Sequence, residues 1–167
     1  SGLINAIITN TDITPFFKQI TDDKFAVTGG ELAKLSNQFY LVGGQRFDGQ
    51  YNPMGHGTYV QTYTEAIQKF TLNNSGATLS YSGYEKITDP IHLHRRDYNL
   101  LSHIFPDGSE GLVISSGVFQ QFVDLPFLYP VEIKEDGYVA KTEFNQYLNN
   151  YHTAHTNIYD SLENKMT

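Results

Sequence analysis

The stretch Asn37-Gln38-Phe39-Tyr40-Leu41-Val42-Gly43-Gly44 constrains the fold more than any other part of the chain. A turn-forming Asn leads into four apolar residues, a length that suits a strand and is too short for a helix. The run then stops on two glycines, which admit the positive φ that ends or redirects a strand. The same unit recurs at Glu110-Gly111-Leu112-Val113-Ile114-Ser115-Ser116-Gly117, and Asn164-Lys165-Met166-Thr167 reads as the start of a third copy. The segments before them, Leu32 to Ser36, Asn99 to Asp107 and Thr156 to Glu163, also correspond loosely. A strand-turn-strand unit at intervals is the mark of a repeat architecture.

Composition supports strands. Tyr and Phe supply 23 of the 167 residues, and short apolar runs alternate with Gly-rich turns, a pattern suited to pleated faces. The chain is long enough for a domain with a real core. With 18 acidic and 11 basic residues, and Arg95-Arg96 as the one adjacent basic pair, it lacks the basic surface a polyanion needs, so nucleic acid is not an expected partner. The absence of Cys excludes disulfides and thiolate chemistry. No apolar run approaches the ~20 residues that span a bilayer, and the Leu3–Ile8 segment lacks the length and basic lead of a signal peptide.

Along the chain, residues 1–24 read as leading strands and turns, with Ile7-Ile8 before Thr9-Asn10-Thr11-Asp12 and Phe16-Phe17 before Thr21-Asp22-Asp23. A strand is favoured over a two-turn helix at residues 30–35. Gln45 to Gly57 reads as a long loop, marked by Asp48-Gly49, Asn52-Pro53 and Gly55. Residues 59–72 fit either a strand, the favoured reading, or a helix, since Val60, Tyr63, Ile67 and Phe70 fall at helical spacing. Ala77 to Ile87, His92 to Ile104 and Glu110 to Gln120 read as strands, and Val131–Ala140 as a hairpin about Glu135-Asp136-Gly137.

The paired "strand, then Gly-Gly" units resemble the kelch repeat of β-propellers. Tyr63 and Phe70 keep the seven-residue spacing of its aromatic pair, with Phe in place of Trp. The second copy departs further: Ser116-Gly117 replaces Gly-Gly, and no aromatic pair follows. The segments Tyr40–Gly49, His94–Asn99 and Pro106–Gly111 are similar to large secreted kelch-type proteins of Bacteroidota exported by the type IX route. The resemblance implies an all-β fold, a β-propeller of four-stranded antiparallel blades in an incomplete ring. Residues 25–87 and 88–150 would be two blades and 151–167 the start of a third. Because two and a half blades leave raw edges, the resemblance also implies a larger polypeptide continuing past Thr167.

Several residue groups carry candidate chemistry. His92-Leu93-His94 would place two imidazoles on one face of a strand, a spacing open to a metal, but no third ligand is identifiable and incidental histidines are the simpler reading. No metal and no cofactor are therefore expected. Arg95-Arg96-Asp97 offers a guanidinium fork for a carboxylate or sugar acid, against a plainer Arg–Asp pair between strands. Asp107–Gly111 resembles the Asp-box of sialidases without its Trp and fits a β-turn better. The copper oxidase chemistry found on kelch folds needs a Cys that is missing, no Gly-x-Ser-x-Gly elbow occurs, and Asp22, Asp23, Glu132, Glu135 and Asp136 form no pair recognisable from sequence.

The expectation is a non-enzymatic binding or assembly module at the bacterial cell surface, extracellular or in periplasmic transit. Its partner would be a protein or a glycan, with surface or secretion machinery among the candidates. Arg46, Asp48, His94, Arg95 and Arg96 are the expected ligand-binding residues. The alternatives are part of a carbohydrate-active enzyme with catalytic groups partly elsewhere, and a complete small β domain with an incidental repeat.

Overall fold

The computed structural model describes residues 2–52, 54 and 57–167. Pro53 and Gly55, two of the expected turn markers, lie outside them. The chain opens with a helix, α1 (Gly2–Ile8), and two single 3₁₀ turns at Thr14–Phe16 and Asp23–Phe25. This corrects the leading strands expected over residues 1–24. Thr9 closes the last turn of α1 through its amide and its hydroxyl, both donated to the Asn5 carbonyl, and Ala6 is buried. Those local bonds satisfy the backbone without a neighbouring strand.

Strands then follow in chain order: β1 (Glu31–Leu35), β2 (Gln38–Val42), β3 (Gln45–Gly49), β4 (Tyr59–Tyr63), β5 (Ala66–Asn73) and β6 (Ser80–Thr88). After a linker come β7 (Arg96–Ile104), β8 (Glu110–Val118), β9 (Val131–Lys134) and β10 (Gly137–Ala140), and finally the short pair β11 (Tyr159–Asp160) and β12 (Lys165–Met166). β1-β2-β5-β6 and β7-β8-β9-β10 form two four-stranded antiparallel sheets, each an up-and-down meander. β3 and β4 make a separate hairpin inserted between the second and third strands of the first sheet. The stretch 45–57 is thus half hairpin rather than loop. The ambiguous residues 59–72 are strand, broken at Thr64-Glu65, where Glu65 takes φ +50°.

One core joins the two sheets. Leu35, Tyr40, Val42 and Ile67 come from the first, and Tyr98, Leu100, Leu112, Ile114, Val131 and Ile133 from the second. Each such aliphatic contributes about 1.5–3 kcal/mol on burial. Polar bonds fix the sheets' relation: the Tyr98 hydroxyl donates to the Val42 carbonyl, and the Leu100 amide donates to Glu31 Oε2 at 3.1 Å. The outer face of the first sheet is covered by Phe25, which meets Phe70 at 4.8 Å and Tyr81 at 5.0 Å between ring centroids. The outer face of the second sheet carries residues 146–157, tied down by side-chain amides such as Asn99 to Asn150 and Asn149 to Gly117.

The two repeat units are second strands of successive sheets. Gly43 and Gly44 have φ +57° and +80°, and Ser116 and Gly117 have +63° and +102°, so both stops are left-handed pairs. Upstream, the buried faces run out of phase by one residue. Tyr40 and Val42 are buried, whereas their aligned counterparts Val113 and Ser115 are half-buried and Leu112 and Ile114 take the core side. Side chains alternate with period two, so a single residue of offset exchanges the faces.

Candidate functional site

The left-handed stops, the β4–β5 junction and the entry to β7 meet at one end of the sheets. Gly43 is required there by a close approach: a Cβ would lie 2.7 Å from the Tyr98 hydroxyl. At Gly44 a Cβ would lie 2.5 Å from the Gly30 nitrogen. The Thr64 hydroxyl caps this corner by donating to the Gly43 carbonyl at 2.7 Å.

The linker between the sheets is a turn, which corrects the strand expected from His92. Asp89 Oδ1 accepts from the Ile91 and His92 amides, the Leu93 amide returns to the Asp89 carbonyl, and β7 begins only at Arg96. The two imidazoles therefore do not share an extended face. His92 Nδ1 lies 2.9 Å from the Tyr129 hydroxyl, and His94 Nδ1 lies 2.7 Å from Glu65 Oε1. Among the described residues, no three His, Asp or Glu side chains gather as metal ligands would.

His94, Arg95 and Arg96 are consecutive yet diverge. His94 turns to the first sheet, with its ring stacked on Tyr63 at 3.9 Å. Arg95 turns inward and is only 1% exposed. Its Nε donates to the His92 carbonyl and its Nη1 to the Ser116 carbonyl, while Nη2 has no partner among the described residues. Among the described residues no carboxylate pairs with it, and it lies instead over the faces of Phe127 at 4.0 Å and Tyr129 at 5.1 Å. Burial pulls its guanidinium down to about 10. Arg95 thus clamps the linker to β8 and is closed to a ligand. Arg96 lies over Phe119 at 5.1 Å. The Arg–Asp pair expected here does not form, since Asp97 lies 3.6 Å from His152 instead.

Arg46 and Asp48 are neighbours on one side of β3. Arg46 Nε donates to both Asp48 oxygens, at 3.1 and 2.8 Å, and its Nη1 lies 3.7 Å from Asp23. Burial pushes the Tyr63 hydroxyl up, with Arg96 working against it. Tyr63 is the link that sequence reasoning missed as a site residue. It stacks on His94 and, with Arg46, lines a cleft of about 410 Å³ between the hairpin and the first sheet. The structure therefore stacks His94 on Tyr63, places Arg46 along the same cleft as Tyr63 and buries Arg95 away from both.

The hairpin has its own aromatic cluster. Phe47 stacks on Tyr59 at 4.8 Å, and Tyr51 approaches both, at 6.5 and 5.7 Å. The opposite end of the sheets is acidic: Asp107, Glu110, Glu135 and Asp136 line a hollow of about 580 Å³. Asp107 there forms the expected turn, accepting from the Ser109 amide, with its carboxyl held far down by Lys134 and Ser109.

No protein-family model matches the chain, and no curated protein or solved structure matches it either. No helix is long and apolar enough to cross a membrane among the described residues.

Proposed function

We propose that the chain is a binding or assembly module without a reaction of its own, built from propeller-like blades, and that it recognises a protein or a glycan through the β3–β4 hairpin. The hairpin carries the reading. It interrupts an otherwise continuous meander, and it spends apolar surface on solvent: Tyr51 is 68% exposed and Val60 63%. An insertion that leaves such side chains uncovered fits recognition better than fold stability. Two successive four-stranded meanders on a shared core, each with a left-handed stop after its second strand, support the blade reading. The bacterial surface location and the type IX partners rest on the kelch-type resemblance.

A photo-crosslinking residue at position 51, introduced in the producing cell, tests the proposal. A single partner band or a glycan conjugate is expected, competed by wild-type protein but not by a folded Tyr51→Ser/Val60→Ser variant. Equal competition by that variant would sink the hairpin as the recognition element.

A further inference from the structure

The β3–β4 hairpin has two faces of different chemistry. Its register pairs Gln45 with Tyr63, Phe47 with Gln61 and Gly49 with Tyr59, so these positions share one face by the alternation of side chains along a strand. Arg46 and Asp48 lie on the other face, where they pair with each other. The first face therefore carries rings and amides and no charged side chain of the hairpin. Its rings form a corner: Phe47 and Tyr59 lie within 20° of parallel, and Tyr51 is inclined to them by 50° and 40°. Tyr51 is mostly exposed and Tyr59 is 37% exposed. Aromatic faces are electron-rich and apolar, which suits the weakly positive C–H groups of a sugar ring.

A second observation is independent of the rings. Gln61 Nε2 donates to Gln45 Oε1, which orients both amides. One donor, Gln45 Nε2, and one acceptor, Gln61 Oε1, are left without a protein partner among the described residues. Neither is a buried orphan, since among the described residues those are Tyr40 Oη and Arg95 Nη2. Both are thus open to solvent and to a ligand. A donor beside an acceptor matches the hydroxyls of a sugar, each of which donates and accepts. An ion would find no countercharge on this face, and an apolar side chain of a peptide would leave the amides unmet. Tyr63, stacked on His94, ends the face. From Tyr59 to Tyr63 the strand runs about 14 Å, room for roughly two to three linked sugar rings.

We propose that this face binds a neutral oligosaccharide: one ring lies in the corner of Tyr51, Phe47 and Tyr59, and hydroxyls of the next meet Gln45 Nε2 and Gln61 Oε1. The inference rests on the reading of the hairpin as the recognition element and adds the ligand class. Sparse, well-placed polar groups beside aromatic surface are the usual make-up of a small-ligand site.

An array of neutral glucose, galactose and mannose oligomers, with uronic-acid and sulfated oligomers beside them, tests it on the whole chain. At least one neutral oligomer should bind, at least 10-fold tighter in calorimetric titration than trigalacturonate. Tyr51→Ser should weaken that binding about 5-fold or more, and so should Gln61→Leu, each checked for folding by circular dichroism. Lys134→Gln at the far end of the sheets should not weaken it. If Gln61→Leu fails to fold, Tyr51→Ser decides alone. No neutral oligomer bound, an equal or tighter hold on the acidic ones, or unchanged affinity in either folded variant would overturn the proposal. A protein band crosslinked at position 51 with no oligomer bound would remove only the sugar ligand. Loss of specific crosslinking would remove the recognition reading itself.

Discussion

At the scale of single residues, the corner where the sheets meet is set by a few side chains with no room to spare. Gly43→Ala would force a Cβ into the Tyr98 hydroxyl at a positive φ, so a loss of about 2–4 kcal/mol is expected, read by urea denaturation. Tyr98→Phe removes the bond to the Val42 carbonyl and leaves a buried acceptor, which should cost about 1–3 kcal/mol. Glu31 behaves differently. Burial raises its carboxyl above the ordinary value, although the Leu100 amide and two histidines oppose the rise. In the unfolded chain it titrates near ~4.3. Between that pH and its higher folded value the folded state holds more protons, so stability falls as pH rises. Glu31→Gln keeps an acceptor for Leu100 and should raise the melting temperature at pH 7, with the gain gone below about pH 4. A gain that persists in acid would refute the burial explanation.

At the scale of elements, the linker and the hairpin behave oppositely. Asp89 holds the linker turn through two backbone amides and accepts from Tyr138 on β10 at 2.6 Å. Burial acts to raise its carboxyl, but those three bonds outweigh it and the net shift is downward. The stability it contributes is therefore present above about pH 4 and is lost as pH falls through the lower folded value. Asp89→Ala should cost about 2–3 kcal/mol at pH 7 and progressively less in acid. The β3–β4 hairpin is joined to the first sheet through the Thr64 amide at the Gly44 carbonyl and a bridge between Thr28 and Gln45. Its aromatic rings pack mainly on each other, so Tyr51→Ser should leave thermal stability within about 0.5 kcal/mol of wild type.

At the scale of the whole molecule, the two sheets share one core and a single linker, so they should unfold together. Ile114→Ala, deep in that core, is expected to cost about 2–5 kcal/mol and to shift the signals of both sheets by the same amount in hydrogen exchange. Protection lost from the second sheet alone would show that the two sheets are independent. The amide-rich strap at residues 146–157 is held by side-chain bonds over the outer face of the second sheet and should be the first segment to exchange.

The sequence by itself determined the strands and their punctuation. Period-two alternation and glycine stops are local properties, and they made β2, β8 and the hairpin of β9 and β10 legible from residues 38–42, 110–118 and 131–140. They did not reveal α1, because an apolar hexamer with branched side chains fits either period. Nor could they decide which way His94, Arg95 and Arg96 turn, since a linker turn, not a strand, delivers them. Only the tertiary structure brought Tyr63 onto His94, Tyr98 against Gly43, and Lys24, Gln68 and Lys86 around one cleft. Those meetings depend on strand register and on where the hairpin is inserted. Both are set by packing across long stretches of chain that no local pattern records.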